Sequence, residues 1–240
     1  MDVSTACVTG ADRGVGYSLT AELLRLGYTV FAGQYDKDWT LLETLKEQYP
    51  AKLQIMELDI SDDRSVAAAK QIILEGTDSL DLLINNAAVL GDIESTIVDE
   101  LDFEQMKQVF DVNTLGPLRV SHALLPLLLK GKEKLIANIS SEAGSIGDCW
   151  RSSWFAYCMS KTALNMQSQL IHNKFKEAGG QVMVLHPGWV QTYMQGKLDE
   201  QAAITPDQSA AQLLKLIQQH EQFQGESAVF IDETGKLLPW

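Results

Sequence analysis

Tyr157 and Lys161 stand four residues apart within a stretch of helical periodicity over 155–178. At that spacing the phenol and the ammonium point the same way, one turn apart. A free phenol titrates near ~10, too high for proton exchange at neutral pH. A cation about 4 Å away, at an effective dielectric of about 20, favours the phenolate by about 4 kcal/mol, equivalent to roughly three pK units. The chemistry expected is a phenol tuned downward to act as general acid and base. The same spacing also arises as an ordinary surface Tyr and Lys, so the setting must decide.

A second group of residues suits an anion. The segment Thr9-Gly10-Ala11-Asp12-Arg13-Gly14-Val15-Gly16 follows a β-rich run and leads into Leu19, Leu23 and Leu26, which share one helical face. Gly10 allows a tight turn, Gly14 lets backbone approach a pyrophosphate, and Gly16 lets helix pack close to strand. The free N–H groups and partial positive charge of the helix start point at the anion. Polar residues recur after later β-rich runs: Asp59-Ile60-Ser61, Asn85-Asn86-Ala87-Ala88, Asn138-Ile139-Ser140-Ser141 and His186-Pro187-Gly188.

These residues need a frame that gathers them. Strand-like runs occur at 6–9, 29–33, 53–57, 82–85, 134–139, 181–186 and 228–231, with helical segments at 17–26, 40–48, 64–75, 103–130, 155–178 and 206–220. Thr205-Pro206-Asp207 and Ser61-Asp62-Asp63 read as helix starts. Strands separated by helices need crossovers, so the sequence predicts a single-domain α/β fold, an open doubly wound parallel sheet covered on both faces. Ligands bind such sheets at the carboxyl ends of the strands, where strand order reverses.

Composition narrows the class. The chain has 240 residues and a formal net charge of −13, which argues against nucleic acid or an anionic membrane as partner. The longest apolar run, seven residues from Ala123 to Leu129, is far short of the ~20 needed to span a bilayer. Cys7, Cys149 and Cys158 lack a C-x-x-C pair, and no histidine stands at metal-ligand spacing from them. The expectation is reduced thiols, no metal and a cytoplasmic location.

Taken together, the stretch from Thr9 to Gly16, Asp59, Asn85-Asn86-Ala87, Asn113, Ser141, Tyr157 with Lys161, and Pro187-Gly188 resemble the short-chain dehydrogenase/reductase family across essentially the whole chain. The resemblance implies a Rossmann-like, seven-stranded parallel sheet in the order 3-2-1-4-5-6-7, with a nicotinamide dinucleotide at its edge. It implies that Tyr157 exchanges a proton with the carbonyl or alcohol oxygen. Lys161 would lower the phenol and hold the nicotinamide ribose, Ser141 would bond the substrate oxygen, and Asn113 would hold a water leading to Lys161. Ser140 is the rival of Ser141. For the cofactor, Gly10, Asp12, Arg13, Gly14, Val15 and Gly16 form the phosphate turn. Gln34 and Tyr35 stand at the adenosine 2′ position, and Asp59 with Ile60 at the adenine. Asn85, Asn86, Ala87 and Ala88 wall the ribose, while Pro187, Gly188, Val190 and Thr192 lie toward the carboxamide.

Ser141 precedes Tyr157 by 16 residues, where many family members have 13. The longer stretch, with Trp150 and Trp154, resembles the C-factor and sniffer-type carbonyl reductase subgroup. Gln34, at 34 − 16 = 18 residues past Gly16, replaces the acid that reads a free 2′-OH, and Arg13 can reach a 2′-phosphate. NADP(H) is therefore favoured over NAD(H), although Asp36 and Asp38 stand close by. Trp150, Trp154, Phe155, Trp189, Tyr193 and Met194 suggest a small apolar or aromatic carbonyl or alcohol substrate, with 188–205 as a lid. A dinucleotide-sensing signalling protein is the alternative. Pairing through 103–130 and 155–178 would give a homodimer or homotetramer, though Leu124, Leu125, Leu127 and Leu128 fit two-sided burial equally.

Overall fold

The β-rich runs become strands within a residue or so of the expected limits. The computed structural model describes residues 3–240 and contains β1 Thr5–Val8, β2 Thr29–Gln34, β3 Leu53–Glu57, β4 Leu82–Asn85, β5 Leu135–Ile139, β6 Gln181–Leu185 and β7 Val229–Ile231. They form one sheet in the order β3-β2-β1-β4-β5-β6-β7. All neighbours are parallel, as helical crossovers require. Ala6 of β1 pairs with Val30 on one side and Leu82 on the other, so strand order reverses beside β1. That reversal opens the crevice where a ligand fits.

The helices are α1 Gly14–Arg25, α2 Leu41–Gln48, α3 Asp63–Gly76, α4 Phe103–Phe110, α5 Gly116–Leu128, α6 Phe155–Phe175 and α7 Pro206–Gln218. Alternate strand residues feed opposite layers. Val30, Ala32, Leu82 and Ile84 pack with α1, α2 and α7 through Leu19, Leu23, Leu42 and Leu213. Phe31 and Leu83 pack with α3, α5 and α6 through Ile73, Leu124 and Phe175. Each such side chain removes apolar surface worth about 1.5–3 kcal/mol from water. Leu124, Leu127 and Leu128 are buried inside this chain, so they form no docking face.

The caps follow the sequence. Thr205 and Gln208 form a reciprocal capping box on α7, and Asp62 accepts from the Arg64 N–H at the start of α3. The periodic stretch 103–130 departs from expectation, because a π-turn at Asp111–Leu115 separates α4 from α5. Pro117 offers no N–H to the carbonyl of Asn113 four residues earlier, which loosens the regular ladder there. Among the described residues no helix is long and apolar enough to cross a membrane, and the three cysteines are free.

Candidate active site

The first turn of α1 is built for close approach. Gly10 has φ +61°, and an added Cβ would lie 2.8 Å from the Ala87 Cα; a Cβ on Gly16 would lie 2.1 Å from the Gly10 carbonyl oxygen. These two positions admit no side chain. Gly14 faces Thr192 of the 188–205 segment, 3.4 Å from where its Cβ would be. No side chain caps α1, and no acid lies in its first turn. The free N–H groups and positive end of the helix are thus open to an anion.

Around this turn the predicted residues divide into contacts and supports. Asn86 donates to the carbonyls of Thr9 and Gly10 at 3.0 Å each, tying the end of β4 to the turn. Ala87 and Ala88 follow it, partly buried. Asn85, expected as a wall of the ribose site, is instead buried and donates to Ser121 and Asn138. As the last residue of β4 it points to the α5 layer, away from the crevice. Asp12 is buried and pairs with Arg13 at 2.8 Å, and Arg13 also reaches Asp36 at 3.1 Å and lies over the Trp39 ring. Gln34 turns back to donate to the Trp39 carbonyl, while Tyr35 is exposed. Asp59 accepts from both the N–H and the hydroxyl of Ser61. The side chains of Ile60 and Val190 belong to the core, which leaves only their backbone for a ligand. Gly188 has φ +83°, and the Pro187 carbonyl accepts from Ser209.

At the carboxyl ends of β4, β5 and β6 the proposed proton-transfer residues meet. The Lys161 ammonium lies 5.6 Å from the Tyr157 ring centroid, and it donates to the Ile139 carbonyl at 2.9 Å. Ser141 stands by the phenol and acts to lower its pKa against the effect of burial. Ser140 points the other way and donates to Asn165 at 2.6 Å, so Ser141 is the serine beside Tyr157. Asn113, on the π-turn, is fully buried and joins three elements. It accepts from the Val89 N–H at 2.8 Å, donates to the Val89 carbonyl at 2.7 Å and donates to Ser160 at 3.1 Å. Both amide donors are therefore occupied, and Pro117 offers no N–H to its main-chain carbonyl.

The electrostatics correct one expectation. The phenol is held well above its usual value, first by burial and then by the Glu142 carboxylate. Burial pushes Lys161 down to about 7. A dehydrated ammonium lying over the ring face loses charge itself before it can draw the phenol down. The pair is thus a protonated phenol beside a lysine that titrates near neutrality.

Three further residues surround this pair. Glu142 is hydrogen-bonded by Ser141 at 2.6 Å and paired with Arg151. His186 Nδ1 lies 3.7 Å from the same carboxylate, and burial lowers its pKa. The Arg151 guanidinium is held between the rings of Trp150 and Trp154, at 4.7 and 4.9 Å, and Trp154 packs edge-on to Tyr157. Trp154 has φ +66°, strained for a bulky residue and costing roughly 1–3 kcal/mol. Trp150, Trp189, Tyr193 and Met194 are exposed nearby in the chain. Residues 188–205 form a strap: Val190 bridges Ile204, Trp189 donates to Asp199, and Tyr193 packs on Trp39. Sequence reading missed Glu142, Arg151 and Trp39. The one signal was an arginine placed among tryptophans in the longer Ser141–Tyr157 stretch.

A reversed parallel sheet with an uncapped glycine turn and an adjacent buried Tyr, Lys, Ser and Asn set defines a Rossmann-like oxidoreductase. Comparison with known proteins sets the family. Residues 4–203 match the model of the short chain dehydrogenases, and the chain belongs to that family as an NAD(P)-dependent dehydrogenase/reductase. It is 35% identical over 168 residues to the C-signal protein of Myxococcus xanthus, covering 68% of this chain and 95% of that one. Its structure is similar to an NADPH-bound carbonyl reductase from chicken fatty liver, with TM-score 0.88, 34% identity and full coverage of both chains. It is likewise similar to the carbonyl reductase Sniffer of D. melanogaster, with TM-score 0.88, 26% identity and full coverage of both. The groove fits the dinucleotide, since the α1 N-terminus has no side-chain acceptor and a side chain at Gly10 or Gly16 would collide with the turn.

Proposed function

We propose that this protein is a carbonyl reductase using NADP(H) in preference to NAD(H), acting on a small, apolar or aromatic aldehyde, ketone or quinone. The observation that carries it is the buried Tyr157 beside Lys161 and Ser141 at the sheet edge. When bound, the nicotinamide supplies the hydride. Tyr157 gives its proton to the carbonyl oxygen; a phenol held protonated is in the right state to begin reduction. Lys161, titrating near 7, returns a proton to the phenolate and would hold the nicotinamide ribose. The N–H groups of Gly14, Val15 and Gly16 hold the pyrophosphate. Gln34 brings no carboxylate to the 2′ position. Arg13 stands at the groove for a 2′-phosphate, which must compete with Asp36 for it. Residues 188–205 act as the lid, and Trp154 and Trp189 give the substrate an aromatic surface.

The test is a panel of aldehydes, ketones and quinones with NADPH and NADH in parallel, followed by loss of nicotinamide absorbance. Turnover with NADPH that disappears in Tyr157→Phe, while dinucleotide still binds, is the expected result. Undiminished turnover in Tyr157→Phe sinks the reading.

A further inference from the structure

Trp39 joins two regions that lie far apart in the chain. Its main chain is fixed just past β2: its N–H donates to the Asp36 carbonyl at 3.4 Å, and Gln34 donates to its carbonyl at 3.0 Å. The indole is half-buried. The Arg13 guanidinium lies over it, 5.3 Å from the ring centroid, and the Tyr193 ring packs on it with centroids 5.0 Å apart and planes tilted by 60°. Trp39 and Tyr193 border a cavity of about 280 Å³, lined also by Tyr17, Leu41, Leu198 and Asp207. On that side no core packs the indole, so its contacts with Arg13 and Tyr193 set where it stands. Arg13 shares its N–H groups with Asp12 at 2.8 Å and Asp36 at 3.1 Å. An aromatic face holds a guanidinium without occupying any of its donors, which stay free for a phosphate.

We propose that Trp39 is a specificity-determining residue for the dinucleotide: it holds Arg13 at the 2′ position without occupying a donor, and Tyr193 of the 188–205 strap holds Trp39. The strap thereby favours a 2′-phosphate that Tyr193 itself does not touch. This rests on the NADP(H) reading above. Such coupling is reciprocal, so a 2′-phosphate on Arg13 favours the closed strap, and NADP(H) closes it more firmly than NAD(H).

The test is isothermal titration calorimetry of NADPH and NADH on the full-length protein and on Trp39→Leu, Trp39→Phe, Tyr193→Leu and Trp39→Leu/Tyr193→Leu, with folding checked by circular dichroism. Trp39→Leu is expected to weaken NADPH binding about three- to tenfold and NADH binding by less than about twofold, as a cation–π contact and a ring pair are each worth a few-fold in affinity. Trp39→Phe, which keeps an aromatic face, is expected to recover part of that loss. Tyr193→Leu is expected to weaken NADPH about two- to fivefold and to spare NADH. The double variant is expected to bind NADPH no more weakly than Trp39→Leu, since Tyr193 acts through the indole. Equal loss for both dinucleotides in a folded single variant overturns the proposal. So does unchanged NADPH affinity in folded Trp39→Leu or Tyr193→Leu, or a double variant whose loss is the product of the single losses. The NADPH-to-NADH affinity ratio of the wild type tests the cofactor preference separately, and no reading needs turnover, so each can fail alone.

Discussion

The glycine-turn groove and the region around Tyr157 share one sheet edge but are built in opposite ways. In the groove, small residues interlock through backbone: Gly16 sits against the Gly10 carbonyl, and Asn86 ties both Thr9 and Gly10. The Tyr157 region is made of large and charged side chains under strain. Trp154 is left-handed, while Arg151 Nε and His186 Nδ1 are buried without a hydrogen-bond partner among the protein atoms. A groove that recognises a constant ligand can have its backbone interlocked beforehand, with only the α1 N–H groups left for the anion. The region around Tyr157 instead keeps polar atoms in reserve and stores strain beside the phenol.

Four changes test how far this contrast holds. The largest effect is expected at the phenol itself, where Tyr157→Phe should lower kcat by about 10²–10⁴-fold through loss of the acid. Dinucleotide affinity, measured by fluorescence titration, should change little; a parallel loss of affinity would show that the two regions are not separable. In the groove, Gly16→Ala should cost about 3 kcal/mol or more in urea unfolding, since its Cβ would lie 2.1 Å from the Gly10 oxygen. A variant as stable as wild type would mean that the turn yields easily.

Lys161 gives the third. Its pKa is about 7 when folded against an ordinary 10.5, so between those values the unfolded chain binds more protons than the native one. Stability therefore rises with pH across that window, with this residue contributing up to about 1.4 kcal/mol per unit. Lys161→Met should flatten the slope between pH 7 and 9, and an unaltered slope would show that the ammonium is not penalised by burial. The smallest change in stability is expected for Trp154→Gly. Relief of about 1–3 kcal/mol of backbone strain offsets most of the packing lost with this half-buried indole, to leave a net loss of at most about 2 kcal/mol. KM for aromatic substrates should nonetheless rise, and a destabilisation above about 3 kcal/mol would mean the indole is chiefly structural.

The same contrast explains what the sequence disclosed. Strand limits and the glycine turn were legible because local backbone rules determine them: β-branched runs, caps at Asp62 and Thr205, and glycines where no Cβ fits; the sheet order was legible only through resemblance to a family. Tyr157, Lys161, Ser141 and Asn113 were legible through their resemblance to a family. The direction of the phenol's shift was not, because spacing shows two charges as neighbours without showing that one is dehydrated. Asn85 was misplaced for a related reason: alternation along β4 turns adjacent asparagines to opposite sides, and the order of letters does not say which side holds the ligand. Glu142 and Arg151 were hidden because their meaning lies in a loop conformation that no periodicity encodes.

The π-turn at Asp111–Leu115 amounts to one surplus residue wound into an otherwise ordinary cylinder. Excising a single amino acid from it would let α4 and α5 run on as an uninterrupted rod, more regular than the natural one. Yet everything upstream would swivel by roughly 100° relative to α5, and Asn113 would lose Val89 and Ser160 together. Local perfection and a working enzyme are, at this point in the chain, mutually exclusive.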